Sequence, residues 1–267
     1  MDNKLIDLIF FILFFLGTFG NLFAQNYQID LSQVEYPVLN EDFRMGHPGF
    51  TGKEIKVNSL YMTIGNKPVV PVMGEFHFSR YDQCYWKETL LKMKASGVNI
   101  VSTYVIWIYH EEMEGRMDWT GNNNLRKFVQ LCDEVGLLVH LRIGPYCNAE
   151  ARNGGLPDWL IAKKYIRKRY NDPLYLAYVS KWYSSIARQV KDLYYKNNGP
   201  IMAIQLENEY VTEGHVVPHI MQLKKIAIEE GFDVPIYSMT HWMSSDYPRK
   251  EVIPYAGYYI ETPWSPG

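Results

Sequence analysis

Two kinds of segment alternate along the chain: segments with apolar residues at helical spacing, and short, almost continuously apolar runs. Trp86, Leu90 and Met93 lie on one helical face, Gly97 follows, and residues 98–105 form the next apolar run. Spacing of three or four residues predicts an amphipathic helix, and a continuous run predicts a strand buried on both faces. A glycine after a helix supplies the left-handed residue that ends it. The segment therefore predicts a helix followed by a parallel strand.

This order recurs. Further strands are predicted at 137–143, 201–206 and 234–239, each after a helical segment that ends at a glycine, and a strand at 69–75 precedes the first helix. The helix before residue 201 is expected to open at Asp172-Pro173 and to run to Gly199-Pro200, with Leu193 on its apolar face. Residues 60–70 predict a β-hairpin that leads into the first strand.

Strict alternation of strand and helix fits either an open doubly wound sheet or a closed barrel. Residues 74–80, where a doubly wound fold would carry a phosphate-binding loop, contain neither GxGxxG nor GxxxxGK[ST]. We therefore predict an α/β fold: an incomplete TIM (β/α)8 barrel, about the first five βα units, preceded by a β-hairpin. A whole barrel takes about 250 residues, so five strands by Met239 predict that the chain stops before the barrel closes.

The amino terminus predicts export. Lys4 precedes an uncharged apolar stretch at 8–19, and the small residue Ala24 stands at the expected cleavage position. The stretch is too short to span a bilayer comfortably, because spanning needs about 20 apolar residues. We predict a signal peptide at 1–24 and a lead-in segment at 25–56. The protein would be secreted or periplasmic, with no membrane association after cleavage; a retained anchor is the alternative.

Composition narrows the function. The 267 residues carry 29 acidic and 27 basic side chains, with both signs interspersed, so nothing resembles the basic surface that a nucleic acid requires. The three cysteines form no CxxC pair, and the histidines show no HExxH spacing. We predict no metal, no cofactor and no nucleic-acid partner.

Polar side chains gather where four predicted strands end, which is where (β/α)8 barrels place their active sites. They are Glu75, His77 and Arg80 after the first strand; Tyr104, Trp107, His110 and Glu111 around the second; Arg142, Tyr146, Asn148 and Glu150 after the third; and Glu207, Asn208 and Glu209 after the fourth. Four successive clusters predict a pocket.

Two carboxyl groups usually cleave a glycosidic bond, and one of them protonates the leaving oxygen. Glu209 is the candidate donor, because it follows an apolar strand and its neighbour Asn208 can hydrogen-bond a sugar hydroxyl. Glu150 is a candidate second carboxyl group from the neighbouring strand. Alternatively, Glu207 and Glu209 are structural carboxylates that pair with basic neighbours, and spacing alone leaves both interpretations open.

Four segments resemble glycoside hydrolase family 35, the retaining β-galactosidases: residues 74–80, 103–111, 141–160 and 199–210. The resemblance covers about 57–264 and implies that 57–267 is a partial catalytic barrel. It implies that the acid/base is Glu209 and that Asn208 contacts the hydroxyl next to the reacting carbon. It further implies that Tyr104, Glu150 and the backbone of Ala149 bind galactose, so Glu150 becomes a sugar ligand rather than a nucleophile.

The family's nucleophile is a glutamate on the seventh strand, and no matching motif is found here. Glu261 lies in a segment that resembles one upstream of the nucleophile and is not assigned. We therefore expect a nucleophile beyond Gly267 and a 267-residue chain that is inactive alone. Ile108, Glu112 and Ala151 depart from the family pattern, so a branched or modified galactoside is as plausible a substrate as lactose.

Two other functions stay open at this point. One is a barrel hydrolase that acts on a different sugar, which a panel of glycosides would distinguish. The other is a non-catalytic carbohydrate-binding protein, which would bind galactose without turnover.

Overall fold

A computed structural model describes residues 49, 53–58, 60–210, 214–239 and 250–255. The predicted signal peptide, most of the lead-in segment and Glu261 lie outside these residues. The first elements are β1 (Ile55–Val57), β2 (Met62–Ile64) and β3 (Lys67–Val69), which form a small antiparallel sheet in that order. A turn at Gly65, with φ 60°, joins β2 to β3. The predicted hairpin is therefore confirmed.

Six parallel strands form the main sheet: β4 (Met73–Glu75), β5 (Ile100–Tyr104), β6 (Leu138–Gly144), β7 (Ile201–Leu206), β8 (Ile236–Met239) and β9 (Ile253–Tyr255). Each strand pairs with the next one along the chain. This order confirms an incomplete (β/α)8 barrel, and the sheet is not closed within the described residues. The strand β9 was not predicted, because three residues are too few to form a recognisable apolar run.

The helices are α1 (Trp86–Ala95), α2 (Trp107–His110), α3 (Leu125–Val135), α4 (Asp158–Ala162), α5 (Pro173–Val190) and α6 (Val216–Glu229). The helix α3 shows how the sequence fixes such an element. Asn124 caps its first turn by accepting from the Lys127 N–H at 2.9 Å, and Gly136 ends it with φ 77°. Its apolar face is buried in the main core, which stabilises the helix far more than its intrinsic propensity does.

The helix α5 begins as predicted and ends earlier. Asp172 accepts hydrogen bonds from the N–H groups of Leu174 and Tyr175, and Pro173 occupies the first turn. The helix stops at Val190, so the prediction that it continues to Gly199 is wrong. Leu193 lies beyond the helix but is still buried, which explains why its spacing looked helical.

All three cysteines are free: Cys84 is exposed, whereas Cys132 and Cys147 are buried. None of the described helices combines the length and apolar character needed to cross a membrane.

Candidate functional site

Three side chains at the carboxyl ends of neighbouring strands lie in one row across the sheet. Tyr104 of β5 is paired in register with Arg142 of β6, and Arg142 is paired with Gln205 of β7. Paired residues of adjacent strands project from the same face, so their side chains meet there. All three are buried, with at most 9% of their surface exposed.

Arg142 connects four strands of the sheet. Its guanidinium forms an ion pair with Glu75 of β4 and lies 3.6 Å from the centre of the Tyr104 ring. It also donates to Gln205 Oε1 at 3.1 Å and to Asn208 Oδ1 at 3.0 Å. A buried charge that is paired and hydrogen-bonded on every side is held rigidly, so Arg142 fixes the floor of the site.

The carbonyl oxygen of Asn208 accepts several of these hydrogen bonds. The Tyr104 hydroxyl donates to Asn208 Oδ1 at 2.7 Å, in addition to the Arg142 contact, and Gln205 Nε2 lies 3.4 Å away. An amide whose oxygen is surrounded by donors is fixed in orientation, which leaves its NH2 group to donate elsewhere. Asn208 is thus prepared to donate to an oxygen atom, such as a sugar hydroxyl.

The chain turns sharply after β7, and this turn presents Glu209. Glu207 and Glu209 have φ angles of 57° and 48°, in the left-handed region that non-glycine residues rarely adopt. Glu207 is fully buried, whereas Glu209 is partly exposed. Of the two residues, Glu209 is therefore the one that reaches solvent.

The buried carboxylate of Glu207 is paired with Arg169. Arg169 donates to Glu207 Oε2 from Nε at 3.2 Å and from a terminal nitrogen at 2.8 Å. The structural alternative, a carboxylate paired with a basic neighbour, is therefore correct for Glu207. Arg169 also donates to the backbone carbonyl of Asn208 at 2.8 Å, which ties it to the same turn.

Residues 148–150 form a second left-handed segment after β6. Asn148, Ala149 and Glu150 have φ angles of 56°, 47° and 48°. Ala149 packs in one buried cluster with Tyr104, while Glu150 is exposed at the same end of the sheet. The structure therefore brings the five candidate residues, Tyr104, Ala149, Glu150, Asn208 and Glu209, to the carboxyl ends of β5, β6 and β7.

His77 lies beside this group, stacked on Tyr104 with ring centres 5.6 Å apart. Burial lowers the pKa of His77, and this outweighs the opposite effect of the Glu75 carboxylate. We infer an imidazole that is largely neutral near pH 7, suited to hydrogen bonding rather than to carrying a charge.

Trp107, His110 and Glu111 are buried, and Trp107 packs in a different core cluster from Tyr104, so their grouping with Tyr104 was wrong. Trp107 stacks on Trp182 of α5 with ring centres 5.3 Å apart. The Glu111 carboxylate accepts from Trp107 Nε1 at 2.7 Å, and burial lowers the pKa of His110 to about 4. The apolar side chains and the internal hydrogen bond place this group in the layer between the sheet and α5.

Sequence reasoning did not assign a role to Gln205 or Arg169. Gln205 sits within an apolar strand, and a polar residue there was the available indication that the strand end faces a site. Arg169 lies 38 positions before Glu207, in a loop with no recognisable pattern. No group of three or more His, Cys, Asp or Glu side chains that could hold a metal ion is found in the described part of the chain.

Comparison with known proteins gives one family. The model of glycosyl hydrolases family 35 matches residues 61–263. A β-galactosidase of Bos taurus is 47% identical over 144 residues, which are 54% of this chain and 22% of the relative. A β-galactosidase of Xanthomonas manihotis is 40% identical over 167 residues, which are 62% of this chain and 28% of the relative. The chain thus spans about a quarter of the length of these two relatives.

Solved structures agree on the fold. A β-galactosidase from Bacillus circulans sp. alkalophilus has a TM-score of 0.55 at 11% identity, over 73% of this chain and 41% of the other. A GH5_18 protein from Streptomyces cattleya has a TM-score of 0.50 at 12% identity, over 64% of this chain and 44% of the other. At such low identity these similarities support the architecture alone.

Proposed function

Because the chain belongs to the glycosyl hydrolases family 35, we propose that it takes part in removing terminal β-linked galactose from oligo- or polysaccharides. The observation that carries this proposal is the pairing of a fixed amide donor with a neighbouring, partly exposed glutamate. Asn208, held by Tyr104 and Arg142, directly precedes Glu209 in the turn after β7.

In this proposal Glu209 is the general acid/base. It gives a proton to the glycosidic oxygen as the bond breaks, and it later takes a proton from the water that completes hydrolysis. The amide of Asn208 donates to the hydroxyl next to the reacting carbon. Hydrogen bonds at that position strengthen in the transition state, which makes an amide fixed in advance effective.

Tyr104, Glu150 and the backbone of Ala149 line the galactose site. The Tyr104 side chain is buried and its hydroxyl already donates to Asn208, so its contribution to sugar binding is to fix the orientation of the Asn208 amide. The exposed Glu150 carboxylate accepts hydrogen bonds from sugar hydroxyls.

A retaining mechanism needs a second carboxyl group about 5–5.5 Å from the first. Glu75 and Glu207 are engaged by Arg142 and Arg169, respectively, and Glu150 is assigned to substrate binding. That the nucleophile lies beyond Gly267, and that the 267-residue chain is inactive alone, both stay predictions. Export by residues 1–24 and a secreted or periplasmic location also remain part of the proposal.

The first test is turnover by the longest natural polypeptide that contains this chain. Among aryl β-galactoside, α-galactoside, β-glucoside and β-mannoside, we expect turnover of the β-galactoside and release of β-galactose as the first product seen by proton NMR. Preference for another glycoside would reject the sugar, and binding of galactose without turnover would establish the non-catalytic alternative.

The second test concerns Glu209. The Glu209→Gln variant should lose at least about 100-fold in kcat/KM on an alkyl β-galactoside, whose leaving group needs a proton, and far less on a dinitrophenyl β-galactoside. The matched control is Glu229→Gln, an exposed change on α6 that should alter neither rate. Equal losses on both substrates would contradict the acid role.

A further inference from the structure

The proposed mechanism leaves Glu207 and Arg169 unused, although both are built into the turn that presents Glu209. Glu207 is fully buried, and burial of an unpaired carboxylate is strongly unfavourable. Arg169 supplies the opposite charge through two nitrogens on Glu207 Oε2, and the Asn208 N–H donates to the same oxygen at 3.2 Å. One carboxylate oxygen thus anchors both the loop that carries Arg169 and the backbone beside Glu209.

Arg169 is itself held in place. Its guanidinium lies 3.6 Å from the centre of the Tyr146 ring and 5.2 Å from that of Tyr210. The Tyr210 ring packs against His219 of α6, with ring centres 4.8 Å apart. Aromatic rings around a guanidinium restrict its motion and favour its charge, so Arg169 is a fixed point rather than a mobile surface cation.

The turn needs such a fixed point. Glu207 and Glu209 both have left-handed backbone conformations, which persist in non-glycine residues when the surroundings over-determine them. Arg169 donates to the Glu207 side chain and to the Asn208 carbonyl, so it bonds the turn at two successive residues. Gln205 Nε2 also donates to the Glu207 backbone carbonyl at 2.8 Å, but among the described hydrogen bonds it is Arg169 that joins the Glu207 carboxylate to the Asn208 carbonyl.

We propose that Arg169 and Glu207 form a positioning pair, which holds residues 207–209 in the conformation that places the Glu209 carboxyl group at the glycosidic oxygen. The inference rests on the proposed function, and it adds residues that contact no substrate. Because proton donation depends on distance, a displacement of about 1 Å in the turn can cost about 100-fold in rate.

The decisive variant is Arg169→Lys, which keeps the positive charge but cannot bond the carboxylate and the carbonyl together with one planar fork. We expect kcat on an alkyl β-galactoside to fall about 30- to 100-fold, and kcat on a dinitrophenyl β-galactoside to fall less than about fivefold. In a Glu209→Gln background, Arg169→Lys should lower kcat on the alkyl β-galactoside less than about threefold. If Arg169 had a merely structural role, Arg169→Lys would lower kcat equally on both substrates, in the wild-type and in the Glu209→Gln background.

The matched control is Arg126→Lys. Arg126 forms a similar forked ion pair with Asp192, on the protein surface, at 2.7 Å from each nitrogen. It contacts none of the site residues, so its kinetics should equal those of the wild type. An Arg169→Lys enzyme that behaves like this control would overturn the inference while leaving the proposed function intact.

A second measurement does not depend on turnover. Amide hydrogen exchange, read by mass spectrometry, should show faster exchange of the peptide that covers residues 207–210 in Arg169→Lys, and not in Arg126→Lys. If Arg169→Lys fails to fold, Glu207→Gln repeats the test, because the amide keeps the shape and loses the charge. Unchanged exchange in the variant that folds would refute the positioning role, and absence of β-galactosidase activity in the wild type would refute the function separately.

Discussion

Removing the hydroxyl oxygen of Tyr104 isolates one contact in the floor of the site. The side chain is 2% exposed, and its hydroxyl donates to Asn208 Oδ1 at 2.7 Å. Tyr104→Phe deletes that donor and keeps the ring beneath the Arg142 guanidinium and against His77. The substitution therefore tests a single hydrogen bond with little change in packing.

The stability that Tyr104→Phe loses at neutral pH depends on which hydrogen-bond donors Asn208 Oδ1 keeps. A typical intramolecular hydrogen bond contributes about 1 kcal/mol net to the free energy of unfolding. Asn208 Oδ1 keeps the Arg142 donor at 3.0 Å, so the variant leaves no buried acceptor without a partner. We expect a loss of about 1 kcal/mol at pH 7, which corresponds to a decrease in Tm of about 2–4 °C for a chain of this size.

The difference in the free energy of unfolding between the wild type and Tyr104→Phe should disappear at alkaline pH. Burial raises the pKa of Tyr104 far above the ordinary value of 10.0 that holds in the unfolded chain. Above pH 10 the native state therefore binds one more proton than the unfolded state, and the free energy of unfolding falls as the pH rises. At pH 11 this costs the wild type about 1.4 kcal/mol, a penalty that phenylalanine escapes. The two proteins should thus have similar stability near pH 11, or the variant should be slightly more stable.

Urea denaturation followed by tryptophan fluorescence at pH 7, 9 and 11 measures the difference. Tyr165→Phe is the control, since 72% of that side chain is exposed, and it should change the free energy of unfolding by less than about 0.5 kcal/mol. A Tyr104→Phe loss that stays constant from pH 7 to pH 11 would show that the native phenol ionises normally, which would refute the reasoning.

Two further predictions concern the backbone and the thiols. Gly154→Ala should lower the free energy of unfolding by about 2–5 kcal/mol, because the new Cβ would lie 1.9 Å from the Tyr146 ring and the residue has φ 62°. Gly97 has φ 93° and open space around the new Cβ, so Gly97→Ala should lower it by about 1–2 kcal/mol in the same urea titration. Equal losses would mean that the ring simply moves aside. A thiol reagent should label Cys84 in the native protein and should label Cys132 and Cys147 only after denaturation, since both are buried and burial raises their pKa. Mass spectrometry of the labelled peptides checks this, and labelling of a second cysteine in the native protein would contradict it.

The sequence predicted the strands that are long and uniformly apolar. The bounds of β7 agree residue for residue with the prediction, because Gly199-Pro200 ends the preceding segment and a run that is apolar except for Gln205 follows. Shorter strands such as β9 carry too little periodicity to be recognised. The end of α5 was misplaced because Leu193, buried just after the helix, mimics the spacing of a helical face.

For the site, position along the chain located the strand ends but not the direction of each side chain. Trp107 follows β5 as closely as an active-site residue would, yet the short helix α2 turns it towards α5, and Glu111 accepts a hydrogen bond from it. Arg169 could not be found, because its role depends on a contact with Glu207 that only the folded chain creates. Resemblance to a family supplied candidate roles, and the structure supplied the groups that hold them in place.

The guanidinium of Arg142 gives this architecture a consequence for its evolution. Because it joins Glu75, Tyr104, Gln205 and Asn208, selection for a folded sheet alone would preserve two of the four proposed sugar-binding residues, Tyr104 and Asn208. A descendant that lost the proposed hydrolysis would therefore retain these contacts as part of its folded sheet. Glu209 takes no part in these contacts of Arg142. Whether a lineage keeps or loses Glu209 therefore indicates whether the proposed catalysis was still under selection.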